Sequence, residues 1–208
     1  MMIPPRGNGG DRIIISWDTA MSSKELSSYS ACVVLQIKGE TAYVLDVVRN
    51  RLEYPDLKRK VIEVYRNWRN ACDQCELVIE NKGSGMALIQ ELKRDDIHAI
   101  AVDPQGEKIM RMNAQTARIE AGSLLLPCRA SWLDEFRHEI LSFPASRYSD
   151  QVDALSQALN RAFNGRRQEV STGVVGLDGR ITWLSNRGRV RAFDASRSGC
   201  IPSGRYKE

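Results

Sequence analysis

Asp18, Glu80, Asp150 and Asp153 are the side chains of this 208-residue chain whose types and settings suggest chemistry. Asp18 closes the run Ile13-Ile14-Ile15-Ser16-Trp17, and Glu80 closes Leu77-Val78-Ile79. Runs of β-branched and bulky apolar residues read as buried strands, so each acid stands at a strand exit. A carboxylate there is costly to desolvate unless a cation or hydrogen-bond donors meet it. Asp150 and Asp153 open a helical stretch at a spacing that makes them surface neighbours. Singly, each acid has an ordinary explanation: an Asx turn for Asp18, a solvated strand end for Glu80, dipole-favoured first-turn acids at 150 and 153. Together, carboxylates from two strand ends and one helix start would repel if they met. A hard divalent cation such as Mg²⁺ relieves that repulsion. Two such ions, roughly 4 Å apart, activate water and stabilise the leaving 3′ oxygen in phosphodiester hydrolysis. In that scheme Asp18 bridges both ions, Glu80 and Asp150 hold one each, and Asp153 is either a further ligand or a partner of one. His98 and His138 lack partners and are assigned no role.

The elements that must position these acids follow from local pattern. Arg12–Asp18 is the first strand; a Ser-rich link, Thr19–Ser30, leads to Ala31–Ile37, and Lys38-Gly39-Glu40 turns the chain into Thr41–Val48. Three strands on short links form an antiparallel meander. From Tyr54 the apolar residues Leu57, Val61, Val64, Tyr65 and Trp68 take a helical period, with Pro55 near the start. Strand Leu77–Glu80, a short helix carrying Leu88, Ile89 and Leu92, and strand Ala99–Val102 complete a β-α-β-α-β pattern, the signature of parallel pairing. Helices are expected over Glu107–Ala121, around Trp132–Leu141 and over Asp150–Phe163, the last with Ser149 as N-cap. Ser123–Leu126 reads equally as strand or buried loop. The acids can meet if the first strand and Leu77–Glu80 are sheet neighbours.

Charge and composition narrow the class. The formal net charge is +4, and residues 164–208 alone hold 9 Lys/Arg against 4 Asp/Glu. A basic tail on a near-neutral body suits a polyanion partner or simple solubility. Within it Ser171–Gly176 and Arg180–Ser185 read as strands around Leu177-Asp178-Gly179, and Ala195–Glu208 as disordered. Residues 1–11 are expected to be a flexible leader. No apolar run would span a bilayer and no signal-peptide pattern is present, which places the chain inside the cell. The five cysteines are scattered, and Cys72 and Cys75 form a lone CxxC without further zinc ligands, so reduced thiols are expected.

Three segments carry a family resemblance: Ser16-Trp17-Asp18-Thr19-Ala20, Val78-Ile79-Glu80-Asn81-Lys82-Gly83-Ser84-Gly85, and Tyr148-Ser149-Asp150-Gln151-Val152-Asp153-Ala154-Leu155. They resemble the acidic motifs of the nuclease domain of tailed-phage large terminase subunits. Glu107-Lys108-Ile109-Met110-Arg111 and Ile119–Pro127 resemble that family's middle segment. The resemblance covers residues 12–163 in order. It implies an RNase H-like α/β fold, with the meander and parallel strands in one mixed sheet flanked by helices, and residues 164–208 as a small basic extension. It implies a catalytic set of Asp18, Glu80 and Asp150 with Mg²⁺ or Mn²⁺, and double-stranded DNA as substrate. A terminase ATPase module, the small terminase subunit and the portal are the implied partners, in the bacterial host cytoplasm. Three departures stand out. Ser149-Asp150 replaces two adjacent acids, Ser28 replaces an acid before the second strand, and no GxxxxGK[ST] phosphate loop is present. The chain is therefore expected to be an excised domain or a version that works with a separate motor.

DNA would meet basic residues near the acids. Lys82, Lys108, Arg111 and Arg118 are candidates for backbone phosphates, the last three on one helical face. An ordinary solvated face is the alternative for those three, and pairing with a cluster acid the alternative for Lys82. Arg187, Arg189 and Arg191 alternate on an extended segment near Trp183 and Phe193, and could bind DNA, dock a packaging partner or seal a hairpin. Two other functions fit the same fold: another RNase H-like nuclease such as a junction resolvase, and a non-catalytic DNA-binding or assembly module.

Overall fold

Alternation along the first strand sets the plan of the molecule. In the computed structural model β1 (Arg12–Asp18) sends Ile13, Ile15 and Trp17 into one core and Ile14 into another. A strand buried on both faces belongs in the middle of a sheet, and β1 lies there. It pairs antiparallel with β2 (Ser30–Lys38), which pairs antiparallel with β3 (Thr41–Asn50). On its other edge β1 pairs parallel with β4 (Gln74–Glu80), and β4 with β5 (Ala99–Val102). The two-residue β6 (Leu124–Leu125) joins β3 in parallel, resolving Ser123–Leu126 as a strand and giving the order β5-β4-β1-β2-β3-β6.

The helices cover the sheet on both faces. Helix α1 (Tyr54–Trp68) and α2 (Ser84–Arg94) bury Leu57, Val61, Leu88 and Leu92 against Ile13, Ile15, Trp17, Leu77 and Ile79. On the opposite face α5 (Asp150–Phe163) lays Val152, Leu155 and Leu159 against Ile14, Val33, Leu35 and Val78. Met112 of α3 (Lys108–Glu120) and Phe136 of α4 (Leu133–Ser142) join this second core. The result is the expected RNase H-like arrangement of a mixed sheet between helical layers.

The structure describes residues 11–19, 29–71, 74–104 and 106–164, and the backbones of three further strands. These are β7 (Thr172–Val175), β8 (Ile181–Leu184) and β9 (Val190–Phe193), an antiparallel sheet of their own. Contacts divide the chain into two units, Met1–Gly165 and Arg166–Glu208. Residues 1–10 of the leader, most of the Ser-rich link with Ser28, Cys72, the Leu177-Asp178-Gly179 turn, Arg187, Arg189 and Ala195–Glu208 lie outside the described residues, while Asp11 is tied to Gln36 and Lys38. Among the described residues no helix is long and apolar enough to cross a membrane.

Candidate metal centre

Parity carries Asp18 and Glu80 to the same side of the sheet. Ser16 and Val78 are paired in the β1–β4 register, as are Trp17 and Ile79. One step further sets Asp18 beside Glu80, at about the 4.8 Å spacing of neighbouring strands. Ile14 and Val78 face α5, so side chains at 18 and 80, an even number of residues further on, point toward that helix too. Gln157 of α5 fastens the arrangement: its Nε2 donates to Ser16 Oγ at 3.0 Å and to the Trp17 carbonyl at 3.3 Å.

The exit of β4 is shaped by its glycines. Gly83 adopts φ +54°, a conformation that side chains disfavour. A Cβ on Gly85 would stand 2.1 Å from the Glu80 carbonyl oxygen and 3.2 Å from Thr19 Oγ1. Only glycine lets α2 begin so close beneath the two acids. Asn81 completes the turn: its N–H donates to the Val102 carbonyl (2.8 Å) and its Nδ2 to Asp103 (2.9 Å).

The third element arrives through a device that local sequence does not display. Ser149 occupies the N-cap position of α5 but makes no capping hydrogen bond, contrary to expectation. Its Oγ accepts from Lys108 Nζ at 3.1 Å. The cap comes instead from Glu139 of α4, a buried carboxylate that accepts from the N–H groups of Gln151 (2.7 Å) and Val152 (3.3 Å) and from Gln151 Nε2 (2.7 Å). Arg49, at the end of β3, balances this charge with Nε 3.6 Å from Glu139, and also pairs with Glu135. No spacing rule links residues 49, 139 and 151; the internal Glu of an otherwise apolar α4 face was the available signal.

Charge converges on Asp18. Burial pushes its carboxyl well above the usual range, Asp153 and Glu80 raise it further, Lys108 opposes and Asp150 adds. Burial likewise raises Asp150, with Glu139 adding to it and Arg49 and Lys108 opposing. The buried Asp150 Oδ2 has no hydrogen-bond partner, an orphan of the kind a cation or water would satisfy. All of these donors are hard carboxylate oxygens, which suits Mg²⁺ or Mn²⁺. The acids share one electrostatic neighbourhood. Even so, among the described residues no three acidic, histidine or cysteine side chains are gathered closely enough to ligate one ion as they stand.

Asp153 shows why. It is 4% exposed, and Arg111 Nη2 reaches its Oδ1 at 2.6 Å while Lys108 Nζ pairs with Oδ2. Burial alone would depress the Lys108 ammonium, but Asp153 first, then Asp18 and Asp150, outweigh it and raise its pKa. Two of the basic residues expected at phosphates thus turn inward. Arg118, on the same face, lies over the Phe163 ring (4.7 Å) and 3.7 Å from Glu40. Lys82 is exposed and, among the described residues, has no ion-pair partner. Arg191 lies in β9, in the other unit. A cleft of about 180 Å³ opens beside the cluster, lined by Glu80, Asp103, Arg111, Asp153 and Gln157 among others.

Comparison with known proteins bears on the fold and the family. No curated protein sequence matches the chain. Among solved structures, the large terminase nuclease of thermophilic phage G20c with bound zinc superposes with a TM-score of 0.52 at 19% identity, over 73% of this chain and 81% of that one. The manganese-soaked human cytomegalovirus terminase nuclease domain gives 0.54 at 10% identity, over 76% and 85%. The large terminase of another thermophilic bacteriophage gives 0.56 at 10% identity, over 77% of this chain and 41% of that one. The model of the terminase RNaseH-like domain matches residues 15–162, a stretch that runs from the first buried strand through the helix bearing Asp150 and Asp153. With most of its length matched, this chain belongs to the terminase RNaseH-like domain family.

Proposed function

We propose that the chain is a divalent-metal-dependent endonuclease that cuts concatemeric viral DNA during genome packaging. The observation that carries this reading is the gathering of carboxylates from β1, β4 and α5 around Asp18, with Asp150 Oδ2 left unpartnered beside them. Asp18, Glu80 and Asp150 would hold Mg²⁺ or Mn²⁺, two ions in the full scheme, which when bound activate water and steady the leaving 3′ oxygen. Asp18, on the interior strand β1 between the other acids, would be the carboxylate shared by the metal centre. Asp153, tied to Lys108 and Arg111, supports the centre and becomes a ligand only on release from them. Lys82, together with Arg118, Arg187, Arg189 and Arg191, supplies phosphate contacts. Residues 12–163 form the nuclease and 164–208 its basic extension. The partners are double-stranded DNA, an ATPase motor, the small terminase subunit and the portal, in the host cytoplasm.

Plasmid cleavage with and without Mn²⁺ tests the proposal. Asp18→Asn, Glu80→Gln and Asp150→Asn should each lose cleavage at least 100-fold, a loss of roughly 2.7 kcal/mol in transition-state stabilisation, while remaining folded. Full activity in any of the three would remove that residue from the centre. One observation favours a second reading, a DNA-binding module without catalysis: the acids are not drawn into a ready ligand set. DNA binding without nicking in the parent protein would establish it.

A further inference from the structure

Next to the start of α5, arginine and tyrosine side chains form a cluster with no part in the scheme above. Tyr29 and Tyr148 meet edge to face with centroids 5.1 Å apart. The Arg49 guanidinium lies 3.8 Å from the Tyr29 ring centre and 4.9 Å from that of Tyr148. Arg51 sits over the Tyr29 ring at 4.4 Å and donates to the Tyr148 hydroxyl at 3.3 Å. Arg147 lies over Tyr148 at 5.2 Å. The three cations do not have equal roles. Arg49 is engaged with Glu135 and Glu139. Arg51 and Arg147 are exposed, and among the described residues no carboxylate pairs with either.

We propose that Arg51 and Arg147, braced on Tyr29 and Tyr148, bind a non-scissile backbone phosphate of the DNA strand whose scissile phosphate lies at Asp150. The assignment rests on the reading of the chain as a nuclease and says where the strand lies. Two unneutralised guanidiniums held beside an acidic centre answer a polyanion that the centre itself would repel. Aromatic faces limit the rotamers open to Arg51 and Arg147, so little side-chain entropy is lost on binding. The ring faces are taken by guanidiniums, which leaves N–H donors on offer rather than a platform for stacked bases. The ligand class is therefore the phosphodiester. With Lys108 and Arg111 committed to Asp153, free positive charge near the acids rests on Lys82 at the β4 exit and on this cluster at the start of α5.

The test is binding in EDTA, where no cutting occurs, read by fluorescence anisotropy on a duplex of about 30 base pairs across a salt series. Removing the charge that neutralises this one phosphate should lower the log–log salt slope by about 0.9. Arg51→Gln/Arg147→Gln should show that fall and a severalfold weaker affinity, with each single variant showing about half. Arg59→Gln/Arg66→Gln, which removes the same charge from α1 on the far face of the sheet, is the control and should leave the slope nearly unchanged. An unchanged slope in the first double variant, an equal fall in the control, or no DNA binding by the parent overturns the assignment. Cleavage is scored separately. A parent that binds through these arginines yet never nicks DNA refutes the nuclease reading and leaves the phosphate site standing.

Discussion

Asp18 is held where its charge is resisted. Burial and three neighbouring acids raise its pKa, so the folded chain binds this proton more tightly than the unfolded chain does. Between the ordinary aspartate value of about 3.9 and the raised one, the folded state carries more protons, and stability falls as pH rises through that window. Above the raised value the cost is fully present; below the ordinary value it vanishes. Metal-free Asp18→Asn should therefore melt above the parent at pH 7, by roughly 2–4 °C for each 1 kcal/mol relieved, with the gap closing toward pH 4. Differential scanning calorimetry across pH checks this. Coincident melting curves at neutral pH would mean the carboxyl is not strained.

At the scale of elements, α5 depends on a cap delivered from another helix. Glu139→Ala leaves the buried N–H groups of Gln151 and Val152 without acceptors and strips Arg49 of a partner. The variant should lose about 2–3 kcal/mol in urea titration, and residual cleavage should fall further than stability accounts for, because the helix start carries Asp150. Unaltered stability would show that solvent or Ser149 caps the helix equally well. This dependence also marks where reading from sequence stops. The strands were legible because Ile13-Ile14-Ile15 and Leu77-Val78-Ile79 are buried on both faces, and α1 and α5 because their apolar residues keep a helical period. The candidate acids were legible because charge at the end of such a strand is anomalous. The Glu139 cap, the Gln157 tie and the tyrosine–arginine cluster join residues separated by 12, 141 and 97 positions, and no local period connects them. The helical spacing of Lys108 and Arg111 was visible, but that they face inward follows from Asp153 being buried beneath them.

For the whole molecule, the elements that carry the acids lie within Met1–Gly165, and Arg166–Glu208 is a separate unit. A chain ending at Gly165 should fold with a cooperative transition and keep metal-dependent cleavage, while binding duplex with a shallower salt slope because the tail arginines are gone. Loss of the cooperative transition on truncation would show that the basic unit is part of the nuclease fold. The pairing of Asp153 with Lys108 and Arg111 has one more consequence. Because α3 already answers part of the cluster's negative charge, the chain can reach its native packing before any ion arrives. On the nuclease reading, folding and arming would then be separate events: the folded chain would stand assembled and inert until metal and DNA reached it together.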